Sequence, residues 1–255
     1  MNYQGKISVC MPTYNGGKYI KEQLESILIQ LGSNDEVVIS DDRSTDDTIE
    51  ILDSFKDNRI KVFTHEKVEN HYKRTYTNIY YVYKNVENAL AHAQGEYIFL
   101  SDQDDIWLPN KVERMMEEFG KGAQCVLHNT KVVNNNMETL MESYFDFSRP
   151  SHSLVRLLAR PFYQGASMAF TRKVKEASLP FPNKFVVSHD HWIACIARTG
   201  RMEIEFIDQP LLWYRRHGNN VSPSSEKSPN SLYFKISYRF NMVINYLVAK
   251  SRFQQ

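Results

Sequence analysis

Tyr97-Ile98-Phe99-Leu100-Ser101-Asp102-Gln103-Asp104-Asp105 is an apolar run that passes directly into a cluster of carboxylates. The first four residues read as a buried strand and the next five as the loop at its end. A strand that ends in carboxylates brings hard oxygen donors to a sheet edge, where a Mg²⁺ or Mn²⁺ carrying a diphosphate can sit. One such end carries little weight, because Asp is common in loops. A second strand, Glu36-Val37-Val38-Ile39-Ser40, runs into Asp41-Asp42-Arg43-Ser44-Thr45-Asp46-Asp47 in the same way. Two acidic strand ends imply one shared crevice and a chain that handles a nucleotide diphosphate.

The flanking pattern places these strands in an α/β sheet. Ile7-Ser8-Val9-Cys10-Met11 reads as a strand stopped by Pro12. Ile20, Leu24, Ile27, Leu28 and Leu31 follow at helical spacing and end at Gly32. Ser44 with Asp47 has the form of a capping box, and Ile49, Leu52 and Phe55 supply the buried side of that helix. Ile60 to Phe63 is a third strand, residues 66–81 read as a long aromatic loop, and Val82, Val86, Ala89, Leu90 and Ala93 restore helical spacing up to Gly95. Strand and helix alternate, the pattern of a mostly parallel sheet with helices on both faces. Pro109 opens another helix. Beyond it the signals are weaker: strands near 123–126, 165–171, 203–207 and 211–214, and helices near 151–159, 190–198 and 232–249.

Length and charge bound the function. The 255 residues suffice for one large domain, and 31 Lys and Arg against 30 Asp and Glu leave a net charge of +1, so no global field points to nucleic acid. The three cysteines, Cys10, Cys125 and Cys195, lie far apart in apolar settings, which fits neither a disulfide framework nor a zinc cluster and suits a reducing cytoplasm. Met1 to Lys6 enters a strand at once, with no room for a signal peptide, and no run approaches the ~20 apolar residues of a membrane span. After Glu226 no acidic residue occurs, while Lys227, Lys235, Arg239, Lys250 and Arg252 alternate with aromatics. An amphipathic helix of that composition is suited to peripheral contact with anionic lipid, and equally to packing on the domain.

Taken together, Val9-Cys10-Met11-Pro12-Thr13-Tyr14-Asn15, Ile39 to Asp46 and Tyr97 to Asp105 resemble glycosyltransferase family 2 in order and spacing. Gly165-Ala166-Ser167-Met168-Ala169-Phe170, Ser188-His189-Asp190-His191-Trp192 and Trp213 to Ser222 resemble its rhamnosyltransferase-like branch. The resemblance covers about residues 6 to 222. It implies a GT-A fold in one domain, about 1–222, with a nucleotide-binding half (1–108), an acceptor-binding half (109–222) and a helical tail, 223–255.

The resemblance also implies roles. Pro12, Thr13, Tyr14 and Asn15 would line the nucleotide site, with Lys84 near it, and Asp41 or Asp42 would hydrogen-bond the base. Asp102 and Asp104 would be the acids of the D-x-D-type motif, Asp104 the direct ligand of Mn²⁺ or Mg²⁺, and His217 a further ligand. Asp190 would be the catalytic base of an inverting transfer from a UDP- or dTDP-linked sugar, rhamnose among the candidates, to a glycan or lipid-linked glycan. Gly165, Trp192, Arg215 and Arg216 would border the donor and acceptor pocket.

Each residue has a plainer reading. Asp190 at a helix start is an N-cap or dipole partner, His189 and His191 are packing residues, Trp192 is core, and Arg215 or Arg216 covers a sheet edge. Asp46 and Asp105 are read as acids that support the site from behind its direct ligands or as structural acids. A non-catalytic nucleotide- or glycan-binding protein on the same fold is the alternative from another class. A nucleotidyltransferase ranks third, because Pro12 to Lys18 lacks a basic phosphate loop.

Overall fold

In the first hundred residues, buried strands alternate with one-sided helices: Ile7–Thr13 (β1), Gly17–Leu28 (α1), Glu36–Asp41 (β2), Thr48–Ser54 (α2), Ile60–Thr64 (β3), Arg74–His92 (α3) and Tyr97–Leu100 (β4). The computed structural model describes residues 4–66, 74–159, 162–218, 220 and 231–254. β1 pairs in parallel with β2 on one side and β4 on the other, and β2 pairs in parallel with β3. In this register Thr13 lies opposite Asp41 and Cys10 opposite Leu100, so all three strands end at the same edge. That edge is where an open α/β sheet binds its ligand.

The second half extends the sheet with Ile106–Trp107 (β5), Lys111–Gly120 (α4), Cys125–Val133 (β6), Thr139–Met141 (β7), Tyr144–Phe147 (α5), Leu154–Ala159 (α6), Met168–Thr171 (β8), Arg172–Ser178 (α7), His189–Thr199 (α8), Ile204–Arg215 (β9) and Leu232–Ser251 (α9). The strand order is β3-β2-β1-β4-β8-β6-β9-β5, with β7 beside β6. β8 is antiparallel to both β4 and β6, whereas β9 is parallel to β6. Alternate strand residues feed two cores. Cys10, Val38, Ile98 and Leu100 pack with α3, α8 and α9, while Val9, Met11, Val37, Ile39 and Phe99 pack with α1 and α4.

Four sequence readings are corrected. Residues 74–81 are the first turns of α3 rather than a loop, and residues 67–73 lie outside the described part. Their aromatics are packing residues: the Tyr76 hydroxyl donates to Ser237 Oγ at 3.2 Å, and its ring meets Phe234 and Tyr238 of α9. α2 begins at Thr48, because Ser44 turns its amide and hydroxyl to Asp41 at 2.7 and 2.6 Å. The two strands expected near 203–214 are one strand, β9, whose pairing with β6 shifts register around Asn129. Asn129 Nδ2 donates there to Asp208 O and Ser143 Oγ, each at 2.9 Å. Residues 165–167 form a turn of 3₁₀ helix, and only Met168–Thr171 is strand.

Candidate active site

At the ends of β1 and β2, Asp41 organises the loops. One of its oxygens accepts the Thr13 hydroxyl at 2.8 Å and the Ser44 hydroxyl, and the other accepts the Ser44 amide. Asn15, at a positive φ of 48°, accepts the Thr45 amide at 2.8 Å and donates its own to Ser44 Oγ at 2.8 Å. Asp42 contacts His65 Nδ1 at 2.6 Å, and its amide donates to Thr13 O. The sequence-predicted nucleotide residues Thr13, Tyr14, Asn15, Asp41 and Asp42 thus share one edge, with Pro12 paired to Ser40 one step inside it. The Lys84 ammonium donates to Glu87 and Asn183 at 2.5 and 2.7 Å. It borders a groove of about 590 Å³ with His65, Asn88 and Pro180. Its neighbour Asn85 is the α3 residue that reaches the loop, donating to Thr13 O at 3.2 Å.

The loop after β4 is clamped to the loop after β1 by Gln103. Its side-chain oxygen accepts the Tyr14 amide at 2.9 Å and its Nε2 donates back to Tyr14 O at 3.1 Å. Behind it, Gln23 of α1 donates to Ser101 Oγ and Asp102 O. These clamps were not foreseen, since an isolated Gln has no sequence signature. They hold the carboxylates of Asp102, Asp104 and Asp105 with oxygens within 4.8 Å of one another.

β9 brings in the far end of the chain. The Arg215 amide donates to Asp105 Oδ1 at 3.0 Å, and His217 Nε2 sits 2.8 Å from Asp104 Oδ2. Asn220 fixes this turn, accepting the His217 amide at 2.6 Å and donating to Arg215 O at 3.1 Å, and Tyr19 stacks on the His217 ring at 4.7 Å. The Arg215 guanidinium pairs with Glu22 at 2.6 Å and lies over Tyr19. The Arg216 amide donates to Val133 O, extending the sheet by one residue.

Burial, then the Asp104 and Asp190 charges, push the Asp102 carboxyl up, and burial with Asp104 and Asp102 raises Asp105 further. The buried Lys111, whose Nζ donates to Ala166 O at 2.8 Å, opposes both shifts, and burial lowers its own value to about 7. Asp105 Oδ2 is buried without a hydrogen-bond partner. Crowded carboxylates, an unsatisfied buried oxygen and an adjacent imidazole form a donor set that fits a divalent cation such as Mn²⁺ or Mg²⁺. Asp105 stands with Asp102 and Asp104 in this cluster.

α8 supplies the remaining candidate. Asp190 lies in its first turn, with Oδ1 accepting the His191 amide at 2.6 Å, and its charge reaches Asp102. His189 packs so closely on Gly165 that a Cβ there would lie 2.4 Å from its Nε2, so this glycine serves helix placement. Trp192 does not border the pocket. It is fully buried, donates Nε1–H to Ser178 O at 2.9 Å and carries Arg252 over its ring, because the first turn of α8 points it into the core.

The mixed sheet whose acidic strand ends share one edge has the GT-A architecture. The sequence pattern of glycosyl transferase family 2 matches residues 8–178, and the chain belongs to that family. It is 27% identical over 223 residues to the dTDP-rhamnosyl transferase RfbG of Shigella flexneri, covering 82% of this chain and 72% of that protein. It is 32% identical over 131 residues to WfgD of Escherichia coli, a UDP-Glc:α-D-GlcNAc-diphosphoundecaprenol β-1,3-glucosyltransferase, covering 51% of this chain and 47% of that protein. The TarS 1–349 structure from S. aureus in complex with UDP-GlcNAc shares the fold at a TM-score of 0.67 and 21% identity, over 94% of this chain and 67% of that one.

Proposed function

We propose that the chain is an inverting, divalent-metal-dependent transferase that moves a sugar, with rhamnose first among the candidates, from a dTDP- or UDP-linked donor to a hydroxyl of a lipid-linked glycan. The observation that carries this reading is the meeting of Asp104, from the first half, with His217, from the second, beside Asp102 and Asp105. The names of RfbG and WfgD support the donor and acceptor classes.

In this reading residues 1–108 hold the nucleotide and 109–222 the acceptor. Thr13, Tyr14, Asn15 and Asp42 orient the base and ribose, with Asp41 holding their loops. Asp102, Asp104 and His217 would hold Mn²⁺ or Mg²⁺, which when bound neutralises the diphosphate charge that grows as the glycosidic bond breaks. The Asp190 carboxylate accepts the acceptor hydroxyl's proton while that oxygen bonds to the anomeric carbon. The electron pair of the breaking bond leaves with the diphosphate on the opposite face, so configuration inverts. The protein works in the cytoplasm at the inner face of the membrane.

Calorimetric titration with UDP, dTDP and GDP, each with and without Mn²⁺, tests the donor site. Metal-dependent binding of one nucleotide is expected and selects the sugars to assay. Binding of none by the folded protein would remove the donor site from the acidic edge and leave a non-catalytic role.

A further inference from the structure

α9 carries apolar side chains on both faces: Tyr238, Met242 and Ala249 belong to a buried core, and Phe234 and Tyr246 pack against it. Its inward face includes Tyr238, Asn241, Met242, Asn245 and Ala249. Asn241 Nδ2 donates to Val186 O at 3.1 Å and Asn245 Nδ2 to Phe185 O at 2.6 Å. The Tyr238 hydroxyl meets Ser188 at the start of α8, accepting its amide at 2.9 Å and donating to its Oγ at 3.0 Å. The outward face is apolar as well: Ile236, Phe240, Val243 and Leu247 recur at helical spacing and are 59, 58, 40 and 54% exposed.

Phe185 widens this stripe. It is 44% exposed, its ring lies 6.3 Å from Phe240, and it keeps a left-handed φ of 58°. A bulky residue in that conformation is held against its preference, here by the Asn245 amide on its carbonyl. An apolar stripe of this length on a soluble helix marks an interaction surface.

We infer that the outward face of α9, with Phe185, docks on an anionic lipid bilayer and lies flat in its interface. Charge selects this occupant. Residues 227–255 contain no Asp or Glu, while Lys235, Lys250 and Arg239, whose Nε–H donates to Ala159 O at 3.0 Å, flank the stripe. A second copy packed two-fold on this face would set those cations against their own kind, whereas an anionic headgroup layer complements them. No helix among the described residues is long and apolar enough to cross a membrane, which leaves the interfacial position. The docking rests on the proposed lipid-linked acceptor for its purpose: Tyr238 joins the docked helix to Ser188, two residues from Asp190, so the acceptor half would face the bilayer that carries its substrate.

Vesicle co-sedimentation tests the inference. The full chain should partition onto phosphatidylcholine vesicles containing phosphatidylglycerol at least tenfold more strongly than onto phosphatidylcholine alone, and less strongly as salt rises. The exposed double substitution Ile236→Ser with Phe240→Ser should reduce partitioning at least tenfold while thermal melting and UDP or dTDP binding stay unchanged. Equal partitioning of the variant, or no preference for anionic vesicles, overturns the docking. A concentration-dependent dimer that the same variant abolishes assigns the face to a second copy and also overturns it. Anionic-vesicle binding by a protein that binds no nucleotide would sink the transferase reading and leave the docking standing.

Discussion

His217 Nε2 and Asp104 Oδ2 lie 2.8 Å apart although 113 residues separate them in the chain. The contact exists because β9 runs along β6 and delivers its last residues to the edge where β4 ends. It joins the candidate donor site to the second half, so each side of this pair can be tested for a role in holding metal.

Replacing His217 with Ala should raise the Mn²⁺ concentration needed for nucleotide binding by about tenfold or more, the scale of losing one member of a metal site. Calorimetry in a Mn²⁺ series measures this. An unchanged Mn²⁺ requirement would make His217 a packing residue held between Tyr19 and Asp104.

Asp190→Asn keeps size and hydrogen-bonding capacity but removes the carboxylate proposed as the proton acceptor. Turnover should fall by about 10²–10⁴, with donor affinity within about twofold of the parent. Equal losses in both would make Asp190 a structural residue of the first turn of α8.

Gly95 separates a packing demand from a conformational one. A Cβ there would lie 2.5 Å from the backbone nitrogen of Ser8 in β1, so Gly95→Ala should destabilise the fold by about 1–3 kcal/mol. Gly120, at the end of α4, has nothing within 4 Å of such a Cβ, so Gly120→Ala should be neutral or stabilising by up to about 1 kcal/mol. Chemical denaturation of the two variants should show opposite or clearly unequal shifts.

Glu36 ties β2 to its neighbours through Lys6 at 2.7 Å, Lys61 at 2.5 Å and the Ser8 hydroxyl at 2.6 Å. Burial alone would raise its carboxyl, but these donors and the Gln94 amide outweigh burial and hold it at about 2. A carboxyl depressed on folding contributes stability that is present above its unfolded value near 4.5 and lost as pH falls toward 2. Glu36→Gln should cost roughly 2 kcal/mol at pH 7, with the gap to the parent closing between about pH 4.5 and 2. A gap that stays constant in urea denaturation across that range would remove Glu36 from the acid transition.

Much of the candidate site was legible because local chemistry decides it. A buried strand followed by carboxylates reads the same from any distance, so the ends of β2 and β4 and the Asp102, Asp104 pair stood out. Residues 74–81 did not: their aromatic period has meaning only against α9, whose Ser237 lies 161 residues beyond Tyr76. Trp192 lies two residues after Asp190 in sequence, yet two residues along a helix turn a side chain by about 200°, and here that turn is into the core. Gln103, Gln23 and Lys111 escaped notice because each acts through a partner that only folding brings near.

The sequence by itself determined the alternation of strand and helix, the acidic strand ends and the family, since these depend on short-range periodicity and motif order. Tertiary structure alone decided that the Arg215 amide reaches Asp105, that Gln103 clamps Tyr14 and that α9 leaves Ile236, Phe240, Val243 and Leu247 exposed. Those relationships depend on which strands become neighbours and on which face of a helix finds a partner. Periodicity identifies two faces of a helix but does not say which one the rest of the chain will cover.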